Sequence, residues 1–198
     1  MAYGILSGSN VIARFVAPIR LISNKPAFVT DTVSLKRQVS SRAAQRWEIV
    51  AGLEPLAEGA NELFVNMVTA GIEQTVDIIL PQNYGAIRAR THAQGQLAIG
   101  SQGATQVTFS SNTGKMPKGT MIRFDNHQKI YMTTSEREGS GVVNIYPPLL
   151  LAVPSSTPVY SHDNVIMRCF YDTDTVSGMS YSDGILMDVA SLKLVEQL

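Results

Sequence analysis

From residue 45 to residue 53 the chain alternates in chemistry: Trp47, Ile49 and Ala51 fall on one face of an extended backbone, and Arg46, Glu48 and Val50 on the other. A period of two belongs to a strand with one buried face, so this stretch commits the chain to a sheet with a core beneath it. Just upstream, residues 34–39 carry Lys36, Arg37 and Gln38, and a short polar turn separates the two segments. Together they predict a hairpin over residues 34–50, with Lys36 and Gln38 facing Arg46 and Glu48. Opposite charges directly across such a ladder contribute roughly 0.2–1 kcal/mol each. Trp47, the only tryptophan, reads first as an ordinary core aromatic. Its second reading is an interface anchor, a role in which tryptophan is enriched.

The rest of the chain is mostly written in the same period. Residues 11–16 and 18–22 alternate apolar and basic side chains, and Asn24-Lys25-Pro26 is a turn signal because proline presets φ. Pro55 suits the first turn of a helix, and Leu56, Ala60, Leu63, Phe64, Met67 and Val68 recur at spacings of three and four. They predict one helix over about residues 55–71, closing near Gly71. Residues 75–80 read as a strand stopped by Pro81, and residues 84–106, rich in Gly, Gln, Ala and Ser, as a linker. Between residues 107 and 160, five short β-rich runs recur at spacings near ten, the last closed by Pro147-Pro148. That spacing predicts a small closed barrel of the SH3 or OB kind. Residues 164–171 and 184–195 are strands too apolar to stand alone, and they are expected to pair with the N-terminal ones. The fold class expected is mainly β with one α-helix (α+β). A discontinuous β domain of residues 1–92 plus 162–198 would carry an inserted barrel of residues 96–161.

Charge narrows the function classes. Sixteen basic and sixteen acidic residues give a net charge of zero, which removes the long-range attraction to nucleic acid or to anionic membranes. Charged residues make up 16% of the chain, against about 25% in ordinary globular proteins, so some of the surface is expected to be covered by neighbours. The longest uninterrupted apolar run, residues 149–153, is far short of the roughly 20 residues a membrane helix needs. Asn10, Arg14 and Arg20 interrupt the apolar stretch that a secretion signal would require. Cys169 stands alone in an apolar alternating run and reads as core. A soluble protein made in a reducing compartment, with no nucleic-acid and no membrane partner, is the expectation.

Motifs for catalysis do not assemble. His92, His127 and His162 have no metal-ligand spacing. Asp172-Thr173-Asp174 begins like a calcium loop but lacks the glycine and the closing glutamate at their offsets. Neither Gly178-Met179-Ser180 nor Gly139-Ser140-Gly141 makes a nucleophile turn. Arg88, Arg90 and His92 alternate, but three basic groups without interleaved aromatics read as a solvated or interface strand rather than a nucleic-acid site. No enzyme, no metal and no cofactor is expected.

Two segments do resemble a known group. Lys36-Arg37-Gln38-Val39 followed by Gln45-Arg46-Trp47-Glu48, then the expected Pro-led helix and a strand, is one. Lys118-Gly119 with Ile122 and Phe124, then Lys129-Ile130-Tyr131, then Val143-Asn144-Ile145-Tyr146-Pro147-Pro148-Leu149 is the other. In order and separation they are similar to tail structural proteins of tailed bacteriophages. The resemblance implies a virion component of the distal tail or baseplate, assembled in the host cytoplasm. It implies a ring-shaped homo-oligomer, hexamer or trimer, that contacts other tail tube and baseplate proteins. Lys36, Arg37, Arg46, Trp47 and Glu48 are then expected at an interface, where charge complementarity sets partner choice. Two alternatives stand beside this: a head–tail connector, tail-terminator or capsid-decoration protein, and a carbohydrate-binding module that stacks sugars on Tyr131, Tyr146 and Tyr160.

Overall fold

Val, Ile, Thr, Phe and Tyr, often at alternate positions, place most of the described residues in strands. The computed structural model describes residues 3–31, 37–41, 44–56, 62, 65, 75–82, 96–162, 165–172, 179–182 and 185–198. In chain order the strands are β1 (Gly4–Ser7), β2 (Asn10–Asn24), β3 (Ala27–Asp31), β4 (Arg37–Ser41), β5 (Arg46–Pro55), β6 (Thr75–Ile79), β7 (Leu97–Gly100), β8 (Gln106–Ser110) and β9 (Lys115–Met116). They continue with β10 (Met121–Phe124), β11 (Ile130–Thr133), β12 (Arg137–Glu138), β13 (Gly141–Tyr146), β14 (Val153–Ser161), β15 (Ile166–Tyr171), β16 (Met179–Ser182) and β17 (Ile185–Glu196).

Two barrels result. In the first, antiparallel ladders join β15, β6, β1, β2, β5 and β17 in that order, and a β15–β17 pairing closes the ring. β16 shares an edge of β17 with β15. Ile5, Ile12, Ile49, Leu53, Ile78, Met167 and Leu194 fill this barrel, each burial contributing about 1.5–3 kcal/mol relative to exposure. Gly4 is required where β1 crosses close to β2, since a Cβ there would overlap the Ala13 carbonyl. β2 bends at Ala17-Pro18-Ile19, where its register with β5 shifts, so a proline is tolerated inside a fifteen-residue strand. The second barrel closes in the order β10-β11-β13-β8-β7-β14 around Phe109, Ile122, Phe124, Tyr131, Val143 and Ile145. All its strands fall in sequence between β6 and β15.

Several expectations are corrected. The α-helix is not borne out: its span of about 55–71 lies largely outside the described residues, no helical element is defined among those described, and Pro55 closes β5 opposite Ala13. The hairpin over residues 34–50 does not form either. β4 pairs with β3, in rungs from Ala27↔Ser41 to Asp31↔Arg37, while β5 lies between β2 and β17. The small barrel has six strands rather than five: Leu97–Gly100, inside the glycine-rich stretch read as a linker, supplies β7, and Val153–Ser161, beyond Pro147-Pro148, supplies β14. The alternation of β7 was hidden by a small residue at each inward position, Ala98 and Gly100, the latter lying against Leu149 and Val107.

Candidate functional site

The inserted barrel is fastened to its carrier by buried polar groups. Lys129 stands just before β11 and is only 3% exposed; its Nζ donates to the Gln45 carbonyl (2.8 Å), to Gln45 Oε1 (2.8 Å) and to Glu196 Oε2 (2.5 Å). The Glu196 carboxylate also accepts from the Trp47 N–H at 2.9 Å and the Ile130 N–H at 2.8 Å. Trp47 returns the contact, its Nε1 donating to the Ile130 carbonyl at 3.0 Å. Tyr146 meets the indole edge-on at 6.3 Å, and Met121 and Ile130 of the inserted barrel enter the carrier's core. On another flank Gln82 donates to the Met121 and His162 carbonyls and accepts from the Met121 N–H. Burial lowers the Lys129 ammonium pKa against the pull of Glu196, and burial raises the Glu196 carboxyl pKa against the pull of Lys129.

The second feature is an arm. β3 and β4 form a two-stranded ladder separate from both barrels, rooted where β2 ends and β5 begins. Every residue of β3 is exposed. Phe28 (57% exposed) and Val29 (47% exposed) point to opposite sides because neighbours on a strand alternate. Val16 and Ile22 on β2 extend this exposed apolar character toward the root. Near that root lies an open cavity of about 540 Å³, lined by Arg46, Phe170, Tyr171, Asp172, Val195 and Leu198 among others.

The five residues expected at an interface separate into three environments. Lys36 lies outside the described residues, and Arg37 is exposed on the arm's outermost described rung. Arg46 is half exposed, 3.4 Å from Glu48. Trp47 and Glu48 are each 4% exposed and face their own chain. Glu48 accepts from Asn24 at 2.6 Å and pairs with Lys193 at 3.3 Å. Burial alone would raise its carboxyl; the hydrogen bonds from Asn24 and Lys193, with the charges of Lys193 and Arg46, outweigh that and hold it below the usual value.

Sequence reasoning passed over Lys129, Glu196 and Gln82. Glu196 follows the apolar Leu194-Val195, but Lys129 follows a polar hairpin tip, and nothing local names its partner 67 residues away.

The remaining candidates fall in ordinary surroundings. Tyr131 is fully buried, its hydroxyl bonded to His127 and to the Leu150 N–H, with burial pushing its pKa up to about 12. Tyr146 is packed on Trp47, and Arg123 covers a face of Tyr160 at 4.7 Å, so the three tyrosines offer no common sugar platform. Cys169 is buried, and burial raises its thiol well above the usual range. Asp172 pairs with Lys193 at 2.8 Å. Arg88, Arg90 and His92 lie outside the described residues. No cluster of three or more His, Cys, Asp or Glu able to hold a metal occurs among the described residues, and no helix among them is long and apolar enough to cross a membrane. No protein-family model matches the chain, and no curated protein is significantly similar to it.

Proposed function

We propose that this chain is a structural protein of a bacteriophage tail, building a ring at the distal tail or baseplate through protein–protein interfaces. The observation that carries the reading is the β3–β4 arm outside both barrels, which exposes Phe28 on one face and Val29 on the other. Two-stranded ribbons are marginal alone in water, and exposed strand edges invite pairing with another chain, so an arm of this kind is a contact element. The polar fastening of the inserted barrel supports the same reading, since an assembly subunit must present its surfaces at fixed angles. Low charge density and zero net charge favour self-association. The two short segments that resemble tail structural proteins supply the particle. The mass of the purified protein in solution tests the ring, and labelled protein on intact particles, located by electron microscopy, tests the place. A strict monomer at assembly concentrations, or a label absent from tails, would end the proposal.

A further inference from the structure

Resting on that reading, the geometry points to one specific contact: the arm of one copy lies in the cavity at the arm root of the next. On the arm, Val29 and Asp31 share a face, and the Asp31↔Arg37 rung places a carboxylate beside a guanidinium. The cavity offers the matching set, an apolar lining of Phe170, Tyr171, Val195 and Leu198 together with Arg46 and Asp172, beside Gln197 and the Glu196 already held by Lys129. Val29 covers the apolar lining, Asp31 meets Arg46, and Arg37 meets Asp172, which it shares with Lys193.

The occupant is a second copy of this chain. Arg46 pairs with Asn24 at the root of the arm, whereas Asp31 is four rungs beyond Ala27, about 13 Å farther out, so the matched charges sit at opposite ends of one arm. Such a contact is heterologous, arm to root, and a repeated heterologous contact closes into a ring when its rotation permits. A stable interface takes about 20–30 residues a side; the ten arm residues, with Val16, Arg20 and Ile22 leading up to them, supply a large part of that.

The test is charge reversal with rescue, read by mass photometry on the full chain. Asp31→Lys and Arg46→Glu should each weaken self-association on the order of tenfold through like-charge contact, and the double variant should restore it. Circular dichroism of each variant checks that the barrels still fold. An independent arm uses Val29→Cys with Leu198→Cys, which should give a ladder of disulfide-linked multimers under mild oxidation. Wild-type oligomers unaffected by either reversal, single losses without rescue in the double variant, or folded cysteine variants that stay unlinked would each overturn the contact while leaving the ring intact. A wild-type monomer would instead overturn the ring itself.

Discussion

Lys129 and Glu196 are buried opposite charges whose geometry leaves little to chance. Taking both from water is expensive, and their attraction offsets that only because Gln45, Trp47 and Ile130 satisfy the remaining donors and acceptors. Removing one partner strands the other. Glu196→Gln is therefore expected to lower stability by about 3–5 kcal/mol, and Lys129→Met by a similar amount. The double variant Lys129→Met/Glu196→Leu should lose less than the two singles summed, a coupling that urea unfolding of all four proteins measures. Acid titration separates two carboxylates by sign. Glu48, held below 4.5 in the fold, contributes stability that is present above 4.5 and lost as pH falls through its folded value. Glu196, raised above 4.5, contributes stability that is full below 4.5 and lost as pH rises through its folded value. Stability measured from pH 7 to pH 3 should consequently fall less steeply in Glu48→Gln than in the wild type, and more steeply in Glu196→Gln. Parallel curves would contradict both assignments.

Among the elements, the arm is the one whose removal should leave the rest untouched. Replacing residues 27–41 with a short Gly-Ser turn takes away no member of either core cluster, so the melting temperature of the monomer should change little while self-association is lost. Scanning calorimetry and mass photometry on one sample check the two halves. Hydrogen exchange adds a readout: arm amides should exchange rapidly in dilute monomer and slow in the assembled state. How the arm escaped notice in the sequence is instructive. The inward face of β5 was legible, since Trp47, Ile49 and Ala51 alternate cleanly, yet its partners were not. Charge pairing at a few tenths of a kcal/mol cannot choose between β3 and β5 as the mate of β4, whereas the core that β5 builds with Ile12 and Ala13 of β2 and with Leu192 and Leu194 of β17 can, and that is a non-local quantity. β7 was missed for the opposite reason: Ala98 and Gly100 look like a linker until Leu149 and Val107 are packed against the glycine. The small barrel itself was visible because β8, β10, β11 and β13 are short β-rich runs set off by turn residues.

For the molecule as a whole, the question is whether two closed barrels behave as one body. Each has its own core, which by itself permits independent unfolding. The junction argues against that. Met121 and Ile130 leave the inserted barrel to pack in the carrier's core, and Trp47, Glu196 and Gln82 bond directly to backbone groups of the insertion. Undocking would expose those apolar groups and leave the Glu196 carboxylate short of two donors, Lys129 and the Ile130 N–H. Trp47 reports on this step, because the chain holds a single tryptophan and it sits at the junction, and it reports on the carrier's core as well, of which it is a member. In wild-type protein the fluorescence shift of Trp47 and the loss of β-sheet dichroism should therefore coincide across a urea titration, as one cooperative transition. In Lys129→Met the stranded carboxylate weakens docking more than it weakens either barrel, so the tryptophan signal should move first and the dichroism follow at higher urea. Coincident curves in the variant would mean that the barrels are joined by packing alone. A fluorescence change already separated from the dichroism in the wild type would mean that they are not one body, and that the angle between arm and inserted barrel is set by the neighbouring subunit instead.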